Sequence, residues 1–236
     1  MAIKRYLAMT GEEIANFDQM TDGKAWMFCP FEDNPEQIPW QLPDSSVIVL
    51  TDARKPETKF QEYLILRLED LNPKAVILDF QRKRDREGSA FVESLRRAVQ
   101  CPVILPEGYA HEFEGPVFLP PVPLHSRLCE HIAPWKGREI WLDLSGEGEK
   151  ITLTENGAAF EALPRFSPPE KGHREKKLHC HYTISQQEDA AMFTLWRTEE
   201  DVMDLLQDAE MLGIRNAIGL YQEWQGSSIA AFRGET

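Results

Sequence analysis

The stretch KAVILDFQ (residues 74–81) decides the fold of this chain. Its apolar run, Ala75 to Leu78, shows no polar alternation, which is typical of a parallel strand that is covered on both faces. The run then ends on Asp79 and Gln81, two positions apart. Because side chains at i and i+2 of a strand point to the same side, these two polar groups are expected to face one common space.

Runs of the same kind recur along the chain, and helical patterns separate several of them. The eight predicted strands are RYLAMT (5–10), SVIVLTD (46–52), AVILDFQ (75–81), PVILPE (102–107), PVFLPP (116–121), EIWLDLS (139–145), LHCHYTIS (178–185) and NAIGLYQEW (216–224). Apolar residues at three- and four-residue steps, such as Tyr63, Leu64, Leu68 and Leu71, predict amphipathic helices between them. This repeated alternation predicts a compact, irregular (β/α)8 barrel, or TIM barrel.

Local signals place the ends of two helices. Ser89 is a predicted N-cap for a helix that buries Phe91 and its apolar neighbours. Thr198, with Asp201 three residues later, predicts a capping box, and Gly213 is expected to end that helix. The connection from Glu107 to Pro116 is too short for a crossover helix of about 10–12 residues, so one unit of the barrel is expected to lack a full helix.

Asn156-Gly157 predicts the turn of a β-hairpin. We therefore predict one domain, residues 1–236, with a hairpin and loop insertion near 146–177. A doubly wound open sheet is the alternative fold, but no glycine-rich phosphate loop supports it.

Composition excludes several classes of partner. The 236 residues carry a net charge of −13, and such a surface repels nucleic-acid phosphates and anionic membranes. No stretch approaches the roughly 20 apolar residues of a membrane-spanning helix, and the N-terminal residues show no secretion signal. We therefore predict an acidic, cytoplasmic protein without a nucleic-acid or membrane partner. The four cysteines form no CxxC pair and are expected to be reduced thiols.

Polar residues at the ends of the predicted strands define a candidate site. In a barrel these ends meet at one mouth, where the active sites of this fold lie. Carboxylates and amides bind sugar hydroxyls, and aromatic rings stack on sugar rings, so such a ring of groups predicts a carbohydrate site. The candidate catalytic residues are Asp79 and Glu223, and the candidate substrate-binding residues are Gln81, Glu107, Asp143, Tyr182 and Trp224. The expected ligand is a small molecule or oligosaccharide, with no cofactor and no metal.

In a regular strand, only one of the two neighbours Glu223 and Trp224 can point into the mouth. Adjacent residues of a strand point to opposite sides, so a strand that turns Glu223 inward turns Trp224 toward the helices. Both side chains can reach the mouth only if the strand contains a bulge.

The fourth-strand segment AVILDFQ resembles the DxxDxDxE signature of chitinase-like, family 18 glycoside hydrolases. The four signature positions fall on Lys74, Ile77, Asp79 and Gln81, and of these only Asp79 matches. In that family the final glutamate protonates the glycosidic oxygen, and the preceding aspartate orients the acetamido group of the substrate. The resemblance also implies roles for Trp224 at the floor of a sugar site and for Tyr182 near the acetamido group. Since an amide delivers no proton, the resemblance implies a glycosidase-like barrel without its standard general acid.

Two other classes of function remain open from the sequence. His179 and His181 are two positions apart, as metal ligands often are, so a metal-dependent hydrolase is one alternative. A non-enzymatic scaffold that binds a ligand at the barrel mouth is the other, because a fold does not by itself decide function.

Overall fold

A computed structural model describes residues 2–10, 13, 23–28, 46–51, 58–164, 167–169, 171–187 and 189–224. Its strands are β1 (Lys4–Met9), β2 (Gly23–Phe28), β3 (Val47–Thr51), β4 (Ala75–Asp79), β5 (Val103–Pro106), β6 (Val117–Leu119), β7 (Ile140–Leu144), β8 (Gly148–Thr154), β9 (Gly157–Leu163), β10 (His173–Glu175), β11 (Cys180–Gln187), β12 (Ala190–Trp196) and β13 (Asn216–Leu220). Eight of them close into a parallel barrel in the order β1-β13-β7-β6-β5-β4-β3-β2. The predicted barrel is thereby confirmed.

Helices connect several of the barrel strands. They are α1 (Thr58–Leu71), α2 (Arg86–Ala98), α3 (Glu107–Ala110), α4 (Leu128–Ile132) and α5 (Glu199–Met211), with 3-10 turns at Ala133–Trp135 and Tyr221–Glu223. The one-turn α3 confirms that the unit between β5 and β6 lacks a full helix. Thr198 and Asp201 form the predicted capping box, and Gly213 follows the helix with a φ of +90°.

The predicted cap of α2 was wrong. Asp85, not Ser89, is the N-cap, and its side chain accepts a hydrogen bond from the backbone N–H of Gly88. Both residue types cap helices well. The helix begins about one turn earlier than the apolar pattern indicates. The pattern does not extend to this first turn because its residues, Arg86 and Glu87, are exposed and charged.

Two apolar layers hold the barrel together. The inner layer fills its interior with Tyr6, Ala8, Ala25, Val47, Val49, Ala75, Ile77, Ile104, Phe118, Trp141 and Ile218. The outer layer lies between the strands and the helices, where Leu78 of β4 and Leu95 of α2 are fully buried. Strands that are buried on both faces explain the continuous apolar runs of the sequence.

The insertion between β7 and α5 is an antiparallel sheet of five strands, in the order β10-β11-β12-β8-β9. The hairpin at Asn156-Gly157 is confirmed, since β8 and β9 pair on either side of it. The assignment of LHCHYTIS (178–185) to the barrel was wrong, because β11 pairs antiparallel with β10 and β12. The eighth barrel strand is β2, which the sequence analysis did not identify; it pairs with β1 and β3.

Within the described residues, no helix is both long and apolar enough to span a membrane. Cys101, Cys129 and Cys180 are free thiols. Cys29 lies outside the described residues.

Candidate functional site

Asp79 and Gln81 face the same space at the carboxyl end of β4. Nε2 of Gln81 donates a hydrogen bond of 2.5 Å to Oδ1 of Asp79. The intervening Phe80 turns to the other side, where its ring lies 6.3 Å from Phe91 and 5.8 Å from Tyr109 in the outer layer. Strand alternation therefore continues past the last residue of β4 and places the two polar side chains together.

Asp143 reaches the same mouth from β7. It lies two positions after Trp141, which belongs to the inner layer, so its side chain points into the barrel as well. Burial raises the pKa of Asp143 well above its usual value, and the negative charges of Asp79 and Glu223 raise it further. A hydrogen bond from the backbone of Leu144 opposes the shift in part. A carboxyl group that keeps its proton can donate a hydrogen bond, which an ionised carboxylate cannot do.

Glu223 is held at the mouth by the segment that follows β7. Its Oε2 accepts hydrogen bonds from Oγ of Ser145 at 2.8 Å and from the backbone N–H of Gly146 at 2.9 Å. A Cβ atom on residue 146 would lie 3.0 Å from the Glu223 carbonyl oxygen, so glycine suits this close approach. The two donors fix the carboxylate near Asp143.

The mouth thus combines three carboxyl groups and one amide, from Asp79, Asp143, Glu223 and Gln81. Together they offer several acceptors and at least one strong donor to a polyhydroxylated ligand. Burial is the main cause of the raised pKa of Asp143, and the negative charges of Asp79 and Glu223 add to it.

Replacing Asp143 with asparagine is expected to stabilise the protein more at pH 8 than at pH 4. The folded state holds the Asp143 proton more tightly than the unfolded chain does. The free energy of unfolding therefore falls as pH rises from the unfolded pKa of about 3.9 through the raised folded pKa. A tenfold difference in proton affinity between the two states corresponds to about 1.4 kcal/mol, and 1 kcal/mol changes the Tm of a chain of this size by roughly 2–4 °C. Thermal melts of both proteins across this pH range give the measurement, and a Tm difference that does not change with pH would contradict it.

The structure places three of the sequence-predicted site residues away from this cluster. Oε1 of Glu107 accepts a hydrogen bond of 3.2 Å from Trp135 in the outer layer. Trp224 is 3% exposed and also lies in the outer layer, with Nε1 donating to the Leu144 carbonyl oxygen. The 3-10 turn after β13 directs Glu223 to the mouth and Trp224 away from it. Tyr182 lies on β11 of the antiparallel sheet, not on a barrel strand.

His179 and His181 each pair with a carboxylate of α5. Nε2 of His179 lies 3.0 Å from Asp208, and Nδ1 of His181 lies 2.7 Å from Asp201. His179 precedes β11 in a turn with a φ of +50°, so the two rings do not share a strand face. Across the described ranges, no group of three or more potential ligand residues could hold a metal ion.

Sequence reasoning missed three residues that shape the mouth, Ser145, Gly146 and Glu147. They follow β7 directly, and the only signal for them is a serine and a glycine at the end of an apolar run. Burial, and the charge of Glu223, raise the pKa of Glu147. Glu13 was also missed; it accepts a hydrogen bond of 3.0 Å from Gln222 and so joins the ends of β1 and β13.

The fold can be compared with that of solved structures. A closed barrel of eight parallel strands occurs in many classes of enzyme, and barrel glycoside hydrolases are one of them. The chain resembles the chitinase-like, family 18 members of that class. Neither a protein-family model nor a curated protein matches the sequence.

Three solved structures illustrate the resemblance. The spore cortex-lytic enzyme SleL of Bacillus cereus matches 100% of this chain and 75% of its own, with a TM-score of 0.56 and 10% identity. A family 18 chitinase from Cycas revoluta, in complex with (GlcNAc)3, matches 92% of this chain and 94% of its own, with a TM-score of 0.54 and 8% identity. A chitinase from Chromobacterium violaceum matches 98% of both chains, with a TM-score of 0.52 and 12% identity. At these identities the likeness shows the fold alone.

Proposed function

We propose that the barrel mouth binds an oligosaccharide that contains N-acetylglucosamine, and that it does so without the usual general acid. The observation that carries this proposal is the convergence of Asp79, Gln81, Asp143 and Glu223 at one mouth. Ionised carboxylates accept hydrogen bonds from sugar hydroxyls, and the amide of Gln81 both donates and accepts them. The choice of sugar is supported by the fold, since a chitinase of the same fold was crystallised with (GlcNAc)3.

Position 81 is the reason for proposing binding rather than rapid hydrolysis. In the resemblance to family 18, the residue at this position gives its proton to the glycosidic oxygen, and a glutamine has no such proton. General acid catalysis typically supplies a factor of about 10²–10⁴. The protein is therefore expected to cleave a bound ligand about 10²–10⁴-fold more slowly than an enzyme that has this acid.

Replacing Asp79 with alanine is expected to weaken the binding of (GlcNAc)3 by roughly 10- to 150-fold. A hydrogen bond to a charged group contributes about 1.5–3 kcal/mol, and every 1.4 kcal/mol corresponds to a tenfold change in Kd. Isothermal titration calorimetry of the wild type and the variant measures the change.

Asp70→Ala is the matched control for this measurement. Asp70 is an exposed carboxylate in the last turn of α1, and its removal is expected to leave the Kd unchanged. Thermal melts of both variants check that they remain folded. The proposed function is refuted if the wild type shows no heat of binding with (GlcNAc)3.

A further inference from the structure

A cavity of about 280 Å3 opens at the end of the barrel opposite the candidate site, where the strands begin. Its polar lining comes from residues at or directly before the first positions of β1, β4, β7 and β13. These residues are Lys4, Lys74, Glu139, Arg215 and Asn216. They belong to the opposite end of the strands from the sugar site proposed above, so the cavity is a separate feature of the barrel.

We propose that this cavity binds a phosphate group, either as the free ion or as part of a small organic molecule. Its lining contains three cations, Lys4, Lys74 and Arg215, and one carboxylate, Glu139, which leaves a formal charge of +2. A phosphate group carries a charge of about −1.5 to −2 near neutral pH and therefore matches this lining. The proposal goes beyond sugar binding and does not depend on it.

Strand alternation directs two of the charged side chains into the cavity. Lys4 stands two positions before Tyr6, and Glu139 stands two positions before Trp141; both aromatic residues belong to the inner layer. Side chains at i and i+2 of a strand share one side, so Lys4 and Glu139 also point toward the barrel axis. Trp141 lines the cavity, and its ring stacks on that of Tyr6 with the centroids 5.2 Å apart. The charged groups are thus placed next to a rigid aromatic pair.

Lys74 reaches the cavity by a contact across the barrel. Its Nζ donates a hydrogen bond of 2.9 Å to the hydroxyl oxygen of Tyr6 in β1 and lies 5.4 Å from the centre of the same ring. An ammonium group has three N–H donors and this contact uses one, so the group can bind an anion without releasing Tyr6. Lys74 also stands where the family 18 signature begins with an aspartate. The sign of the charge at this position is therefore the reverse of that in the signature.

Arg215 is anchored at the rim of the cavity through one of its terminal nitrogens. Nη1 donates to the carbonyl oxygen of Glu210 at 3.0 Å and to that of Ile214 at 3.1 Å. These two bonds do not use the N–H groups of Nε and Nη2. A guanidinium that is held in this way loses little freedom when it binds an anion, which lowers the entropic cost of binding.

Glu139 is the only acidic residue in the lining, and two neutral donors orient its carboxylate. Its Oε1 accepts hydrogen bonds from Nε1 of Trp141 at 2.9 Å and from Nδ2 of Asn216 at 3.2 Å. The carboxylate opposes the binding of an anion by like-charge repulsion. Its removal is therefore expected to strengthen binding, whereas the removal of a cation weakens it.

The acidic surface of the chain does not cancel the attraction inside the cavity. At physiological ionic strength, exposed charges more than about 8 Å apart are largely screened from one another, so the cations of the lining dominate the local field. A large polyanion would also meet the surface outside the cavity, on a chain with a net charge of −13. The cavity therefore suits a small phosphate compound and not a nucleic acid or an anionic membrane.

Isothermal titration calorimetry with inorganic phosphate, at constant ionic strength, tests the site. The wild type is expected to bind one equivalent. Lys4→Gln is expected to weaken this binding about fivefold, because it removes one exposed cation and leaves the bond between Lys74 and Tyr6 in place. Glu139→Gln is expected to tighten it by about the same factor, since the amide oxygen still accepts from Trp141 while the negative charge is gone.

Lys176→Gln and Glu155→Gln are the matched controls, since both residues are exposed in the insertion and lie outside the cavity lining. They make the same changes in net charge and are expected to leave the Kd for phosphate unchanged. Lys74→Gln is a second cation variant, expected to weaken binding like Lys4→Gln, and thermal melts check that every variant is folded.

The absence of saturable binding to the wild type overturns the proposal. A Kd that neither Lys4→Gln nor Lys74→Gln changes also overturns it, and so does a Kd that the two controls change as much as the cavity variants do. Glycerol 3-phosphate in place of inorganic phosphate distinguishes the two sources of the phosphate group. Tighter binding of the ester identifies an organic phosphate as the ligand, and equal or weaker binding identifies the free ion.

Discussion

The variant Gln81→Glu is expected to hydrolyse a chromogenic N-acetylglucosaminide about 10²–10⁴-fold faster than the wild-type protein. The substitution introduces the acid that the family 18 signature has at the corresponding position, and it changes a single side-chain amide to a carboxyl of the same size. The rest of the mouth is left in place. A gain of this magnitude requires that the new carboxyl can reach the glycosidic oxygen of a bound sugar.

The geometry at the end of β4 favours the protonated form of that new carboxyl. In the wild type, Nε2 of Gln81 lies 2.5 Å from Oδ1 of Asp79. Two carboxyl groups at such a distance do not both ionise, so one of them keeps its proton to a higher pH. This shared proton is what a general acid needs near neutral pH.

The measurement is the rate at which each variant releases the chromophore from the N-acetylglucosaminide. Gln100→Glu is the control. Gln100 is exposed after α2, and its replacement adds the same charge far from the mouth. If Gln81→Glu binds (GlcNAc)3 as well as the wild type does and yet shows no gain in hydrolysis, position 81 does not face the glycosidic bond. The likeness of this site to a chitinase site would then be limited to the fold.

The sequence predicts those elements of the fold whose signals lie within a short stretch of residues. The continuous apolar run of β4 and the capping box at Thr198 are local, and both were predicted. The pairing of strands is not local. The segment 178–185 has the composition of a strand, but composition does not say which sheet it joins. In β2, GKAWMF, the polar Lys24 interrupts a run of only six residues, so the strand is recognisable only from its partners, β1 and β3.

In the candidate site, too, the sequence predicts what local signals determine and misses what depends on distant residues. The common orientation of Asp79 and Gln81 follows from alternation within one strand, and the structure has them in contact. The position of Glu223 depends on donors from Ser145 and Gly146, which are far away in the sequence. Trp224 lies in the outer layer because a 3-10 turn, and not a continued strand, follows Leu220. Such turns depend on tertiary contacts that a single sequence does not display.

The junction between the antiparallel sheet and the barrel depends on one buried carboxylate, that of Asp201 in α5. Its side chain is 0% exposed. Oδ1 accepts a hydrogen bond from Nε of Arg174 at 2.9 Å, and Oδ2 lies 2.7 Å from Nδ1 of His181. Oδ2 also accepts from the hydroxyl and the backbone N–H of Thr198, at 2.8 and 2.9 Å. Two strands of the insertion and the first turn of α5 therefore share this one group.

The lowered pKa of Asp201 also indicates that this carboxylate stabilises the junction. Burial acts to raise the pKa of Asp201, but the hydrogen bonds from Thr198 and His181 outweigh it and hold the pKa below its usual value. A carboxyl group with a lowered pKa stabilises the fold above its unfolded pKa of about 3.9, and this contribution is lost as pH falls through the folded value. Asp201 therefore contributes to stability at neutral pH and less in acid.

Replacing Asp201 with alanine is expected to lower the free energy of unfolding by about 3–5 kcal/mol, since it removes the charged acceptor that Thr198, His181 and Arg174 share. For a chain of this length that is a fall in Tm of roughly 6–20 °C at pH 7. Asp204→Ala is the matched control: Asp204 also pairs with Arg174, at 2.8 Å, but it is 48% exposed, so a loss of about 1 kcal/mol or less is expected. Equal losses in the two variants would mean that the contact with Arg174, and not the burial of Asp201 among several donors, is what joins the sheet to α5. A loss for Asp201→Ala that persists undiminished at pH 3 would contradict the role of its charge.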